Sequence, residues 1–178
     1  AQSPLRLALL LNAFVFVFAF SSRTQAVNPA PDGGYPRGNT AEGHAALLSL
    51  TTGGVNTAIG FLSLRSDTTC QFNTAIGGGT LLANTAGEKH GTGTAALFSN
   101  TSGPSNTANG AFALLSNTAG GFNTANGDSA LSSNTIGGQN TAIGFSALTS
   151  NTSGNDNVAN GFKALSNNTF RAGNTALG

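Results

Sequence analysis

A chain of 178 residues with 7% charged side chains and a formal net charge of +1 leaves little room for polyanionic partners. No Lys or Arg occurs between Lys89 and Lys163, so no phosphate-tracking basic stripe runs through it and no nucleic-acid partner is expected. Disorder is excluded from the other side, because 39% of the residues are hydrophobic and recur in register.

In chain order, residues 1–26 come first. Arg6 precedes an apolar run from Leu7 to Phe20, and Thr24-Gln25-Ala26 ends on a small residue, the pattern of a secretory signal cleaved after Ala26. The same run admits a second reading. Phe14, Phe16, Phe18 and Phe20 alternate strictly around Val15 and Val17, a period of two that favours a strand. The run is also short for a membrane helix, which needs about 20 apolar residues. Apolar on both faces, a retained strand would be an assembly arm that adds to a neighbouring subunit. Residues 27–38 come next, rich in Pro and Gly, and read as an extended linker. Tyr35 in that linker is expected to pack on the first repeat as a partial cap.

Residues 39–178 are one pattern repeated. Rows of seventeen begin at Asn39, Asn56, Asn73, Lys89, Asn106, Asn123, Asn140 and Asn157, with a five-residue start at Asn174; the row from Asn73 is one residue short. The fifth place is always Gly: Gly43, Gly60, Gly77, Gly93, Gly110, Gly127, Gly144, Gly161 and Gly178. The ninth is always Leu: Leu47, Leu64, Leu81, Leu97, Leu114, Leu131, Leu148 and Leu165. The thirteenth is Thr, from Thr51 to Thr169. A fixed short period marks a stacked-repeat architecture.

Within a row, Asn-Thr-Ala-x-Gly predicts a short strand with Ala inward, closed by a turn at Gly. The middle, x-x-Ala-Leu, fits either a strand or a single helical turn. The last part, typified by Asn117-Thr118-Ala119-Gly120, carries turn chemistry. One row per coil gives an all-β β-solenoid of about eight coils, rising roughly 40 Å at one strand spacing per coil. Its Leu column would line a narrow interior, each side chain contributing about 1.5–3 kcal/mol on burial. Asn at the first place and Thr at the second and thirteenth are expected to bond coil to coil as ladders.

The row Asn-Thr-Ala-x-Gly-x-x-Ala-Leu-x-Ser-Asn-Thr-x-Gly resembles repeats of secreted bacterial and phage-tail-fibre-like proteins over residues 39–178. It is more distantly similar to the head domains of trimeric autotransporter adhesins. The resemblance implies an elongated β-structured stalk or head, often homotrimeric, used for attachment. The period of seventeen is longer than that of autotransporter heads, and neither a chaperone domain nor an anchoring-barrel pattern comes after the repeats in this sequence.

Chemistry-bearing residues are sparse. His44 and His90 fall at different places in their rows, Asp and Glu total 6 and do not recur in register, and no nucleophile elbow, phosphate loop or zinc-helix motif occurs. Neither catalysis, a metal nor a cofactor is expected. Cys70 stands alone at a place where most rows have Gly, so it forms no intrachain disulfide; it is a small residue at a turn or, in the alternative, one half of a bridge between chains. Asn100, Asn151 and Asn167 match the glycosylation acceptor pattern and are candidate acceptors if they face outward.

These features predict a secreted or cell-surface protein that associates with itself. The first reading is a structural subunit of an extracellular filament, joined by end-to-end stacking of coils and by the apolar arm. A sequence that stops at Asn174–Gly178 without a polar cap exposes strand edges that invite another copy. The second is an adhesin or tail-fibre-like protein that binds a glycan or cell surface. The third is ice binding, which flat Thr-lined faces suit, although the row does not pair Thr as Thr-x-Thr.

Overall fold

The computed structural model describes residues 35–178. The arm residues Phe14, Phe16, Phe18 and Phe20 and the boundary at residue 26 lie outside the described residues. A short 3-10 turn at Pro36–Gly38 leads into nine strands. They are β1 (Thr40–Glu42), β2 (Thr57–Ile59), β3 (Thr74–Ile76), β4 (His90–Thr92), β5 (Thr107–Asn109), β6 (Thr124–Asn126), β7 (Thr141–Ile143), β8 (Val158–Asn160) and β9 (Thr175–Leu177).

The nine strands form one sheet in sequence order, every pair parallel. Thr57 pairs with Thr74 and Thr124 with Thr141, a step of one row. At the short row the step is one residue less, Thr74 against His90, and the register survives. The molecule is therefore an all-β parallel β-solenoid with one row per coil. A parallel strand needs a crossover before it can return to the sheet, and here the rest of each row supplies it.

In each strand the middle residue points inward. Ala58, Ala75, Ala125, Ala142 and Ala159 are fully buried, flanked by more exposed neighbours. A small residue is required because the Leu column crosses the same narrow interior. Leu64, Leu81, Leu97, Leu114, Leu131 and Leu148 are fully buried, Leu47 nearly so, and Leu165 partly, all in one continuous core. Tyr35 and Leu50 pack against its first end, as the cap reading of Tyr35 anticipates.

The middle of the row is neither strand nor helix. It is a run of turns in which the seventh and ninth places take positive φ, as in Ala95 (56°), Leu97 (54°), Ser129 (58°) and Leu131 (53°). Left-handed backbone costs an L-residue roughly 1–2 kcal/mol. What offsets it is a second line of bonds between coils. The Leu97 N–H donates to Ala113 O at 3.0 Å, Leu114 to Ala130 O at 3.0 Å and Leu131 to Ala147 O at 3.0 Å. The curl that turns each Leu inward also aims its amide at the next coil.

The Gly column has a different cause. At the fifth place φ runs from 118° to 143° over the eight full coils, and an added Cβ would lie 2.4–2.7 Å from backbone atoms of the next coil's Gly. No side chain fits there.

Candidate functional site

The surfaces joining one coil to the next are the most regular feature of the molecule. Asn at the first place uses its carboxamide oxygen to accept the backbone N–H of the Asn one coil on: Asn123 from Asn140 at 3.0 Å, Asn140 from Asn157 at 3.0 Å. Its Nδ2 donates within its own row, Asn123 to Gly137 O at 2.8 Å and Asn140 to Gly154 O at 2.9 Å. These residues are buried in the solenoid and fully satisfied.

A second Asn ladder occupies the twelfth place. Asn134 Nδ2 donates to Asn117 Oδ1 at 2.8 Å and Asn151 Nδ2 to Asn134 Oδ1 at 2.9 Å, while each also reaches the Gly carbonyl three residues on. The expectation that Asn100 and Asn151 are glycan acceptors is overturned here: both are fully buried, with their amide nitrogens committed to protein carbonyls. Asn167 faces solvent. Asn100 and Asn151 stand at the twelfth place of their rows and Asn167 at the eleventh, so the place in the row, rather than the acceptor motif, separates the outward Asn from the ladder rungs.

The Thr columns divide. At the thirteenth place the hydroxyl donates to the backbone carbonyl of the next coil's Thr, as in Thr118 to Thr135 at 3.0 Å and Thr135 to Thr152 at 2.9 Å. At the second place no such bond forms among the described residues. Those side chains stand outward on the sheet face beside the residue at the fourth place, for example Thr107 with Asn109 and Thr141 with Ile143. The ladder expected for that column is thus replaced by an uncharged outer face.

The flanks carry aromatic pairs. Phe145 and Phe162 stack at 5.5 Å between centroids, with Lys163 Nζ 5.2 Å from the Phe162 ring, and His44 stacks on Phe61 at 5.7 Å. All four rings lie toward solvent, Phe162 the most.

One place breaks the regularity. The short row ends at Glu88, and the next begins with Lys89 where every other row has Asn. Lys89 is fully buried. Its Nζ donates to Ala86 O at 2.6 Å and Asn84 Oδ1 at 2.8 Å, acceptors in the row behind it. The deletion removes a residue from the preceding turn, and the long side chain fills the space left. Directly below Asn84 in the twelfth-place column stands Asp67, also fully buried, whose Oδ1 accepts the Cys70 N–H at 3.0 Å and whose Oδ2 lies 3.4 Å from Asn73 Nδ2. Asn84 Nδ2 is buried without a hydrogen-bond partner.

Burial sets the charges in this pocket. It pulls the Lys89 ammonium down to about 8, against the opposing pull of Cys70 and Asp67. It pushes the Cys70 thiol up to about 11, helped by the hydrogen bond and charge of Asp67. A buried, protonated thiol is inert as a nucleophile, which argues against Cys70 as a bridge between chains. Among the described residues no group of three or more His, Cys, Asp or Glu side chains is placed to hold a metal ion, and no helix is long and apolar enough to cross a membrane.

Comparisons with protein families, with curated proteins and with solved structures find no match to this chain.

Proposed function

We propose that the protein is a structural subunit of a self-assembling extracellular filament, in which the coils of one copy continue the stack of another. The observation that carries this reading is the self-complementarity of the coil edges. Each edge carries the same donors and acceptors at every step from Asn106 to Asn174: the Asn amides donate back to the coil before, and the Thr hydroxyls and Leu amides donate on to the coil after. Such an edge recognises another copy of itself as readily as its own neighbour. The contact is heterologous and advances along the axis without closing, which generates a fibre. The apolar arm, retained, would supply a second joint by strand addition.

Attachment is the second reading, favoured by the solvent-facing Phe145–Phe162 pair with Lys163 beside it, a surface on which a sugar ring could stack. The general likeness of the row to tail-fibre-like and adhesin repeats agrees with it. Ice binding has only the uncharged outer face of the sheet in its favour; His90-Gly91-Thr92 is the strand with Thr at the fourth place, and its second place is His.

Negative-stain microscopy of the purified chain tests the first reading. Regular fibres are expected, and Leu165→Arg, which charges a partly buried rung at the last coil, should convert them to discrete rods. Discrete rods from the unmodified chain, together with retention on a glycan array, would decide for attachment.

A further inference from the structure

We propose that Lys89 and Asn84 join covalently, through an isopeptide bond between Lys89 Nζ and the Asn84 side-chain carbonyl carbon, with Asp67 as the buried anion that assists it. The reacting groups are already in contact: Nζ lies 2.8 Å from Asn84 Oδ1. The donor ammonium fixes which end of the carboxamide faces it. The carbonyl carbon is one bond further, within reach of a small rotation of the lysine.

The surroundings favour the reaction in three ways. All three side chains are fully buried, so water neither competes as nucleophile nor hydrolyses the product. The amine is poised to lose its proton near neutral pH, since burial holds it at about 8. The leaving nitrogen, Asn84 Nδ2, is the one buried polar side-chain atom among the described residues held by no hydrogen bond. Every regular rung of that ladder ties its Nδ2 down.

The step balances without a co-reactant. The neutral amine forms a C–N bond at the Asn84 Cγ, giving a tetrahedral carbon. The proton released by the attacking nitrogen passes to the departing nitrogen on the same tetrahedral carbon, and the charge of Asp67 offsets the positive charge carried between them. The C–Nδ2 bond breaks and ammonia leaves, so a lysine and an asparagine become one secondary amide. Asp67 sits one coil below Asn84 in the same column, and its charge acts on Lys89. The bond would close the coil that lacks a residue, replacing a buried cation with a neutral link. It is independent of whether the protein forms filaments.

Intact-mass measurement of the folded full-length chain is the test, together with a tryptic map. The expected result is a mass lower by one ammonia and failure of trypsin at Lys89, giving one internally looped peptide over residues 66–163. Lys89→Arg keeps a cation in the pocket and should restore the full mass. Asp67→Asn, which places in this column the residue found at its later rungs, should fold normally and stay unlinked. A folded chain of full mass overturns the proposal, as does a loss of ammonia with normal cleavage at Lys89, which would mark a cyclised Asn84 instead. A linked Asp67→Asn chain, formed as fast as the parent, removes Asp67 from the reaction.

Discussion

The coils from Asn106 to Gly173 and the coils around Lys89 take the same path with different chemistry. In the first region the buried Asn rungs follow one another coil after coil, and their hydrogen bonds repeat from rung to rung. In the second, one residue is missing, an ammonium replaces a carboxamide, a carboxylate stands at a rung of the ladder, and Asn84 keeps an unpaired nitrogen. Yet the strand register continues through it. The backbone ladders and the Leu and Gly columns fix the shape of a coil, while the inner polar rungs tolerate replacement if the total of donors and acceptors is nearly kept. The pair Thr80 and Gly91 shows the same economy. Thr80 is bulkier than the Ala or Ser of other rows, and Gly91 in the next coil leaves its methyl room, since a Cβ there would lie 2.6 Å away.

The comparison breaks most sharply at the core. Leu131→Asp puts a charge with no partner where a fully buried apolar side chain closes the coil. A loss above about 4 kcal/mol is expected, enough to abolish the cooperative thermal transition or split it. Circular dichroism melting checks this. An unchanged melting temperature would show that the Leu column does not hold the stack together, in either region.

The next contrast uses one substitution in two directions. Asn134→Asp in the regular ladder removes the bonds from Nδ2 to Asn117 Oδ1 and Gly137 O and sets a carboxylate against the carbonyl oxygens that accepted them. A cost of about 3 kcal/mol is expected. Asp67→Asn near Lys89 runs the other way. The Cys70 N–H keeps an oxygen to donate to, a new Nδ2 becomes available, and in the unlinked Lys89→Arg background stability should change by less than about 1 kcal/mol. Urea denaturation of the two variants gives both numbers. Equal losses would mean that Asp67 holds its coil together rather than being tolerated there.

How far the sequence reveals this depends on what kind of signal each column leaves. Leu131 and Gly127 belong to columns with one residue type throughout, so period alone places the first inside and the second at a turn. The left-handed φ of Leu131 leaves no trace, because Leu disfavours it and only bonds between coils compensate. Asn151, with Thr152, Ser153 and Gly154 after it, is ambiguous for another reason. An Asn-Thr pair beside Gly suits a turn, a glycan acceptor and a buried rung equally, and burial alone separates them. Lys89 is visible as a departure from the first place, but its partner Asn84 lies in another column, and their meeting depends on the deletion between them.

The last expected effect is a dependence on pH that separates the two regions, because the shifted groups Cys70 and Lys89 are both in the second; Tyr35, also raised by burial, lies at the first end of the stack. Cys70 rises from 9.0 to about 11 on folding. Between those values the folded chain keeps a proton that the unfolded chain has lost. The stability this contributes is present below pH 9 and is lost as pH rises through 11, on the order of 2 kcal/mol. Lys89 has the opposite sign. It falls from 10.5 to about 8, so the unfolded chain binds the extra proton and stability grows as pH rises across that interval. Asp67 faces both groups and is a cause of both shifts. A chain with free Lys89 should therefore gain stability from pH 8 to 9 before the thiol offsets the gain. A chain in which Lys89 is an amide has no such rise; its urea midpoint should stay level to pH 9 and then fall, and Cys70→Gly should remove the fall between pH 9 and 10, leaving the part that Tyr35 adds above pH 10. A rising limb in the unmodified protein would mean that the amine is still there to titrate.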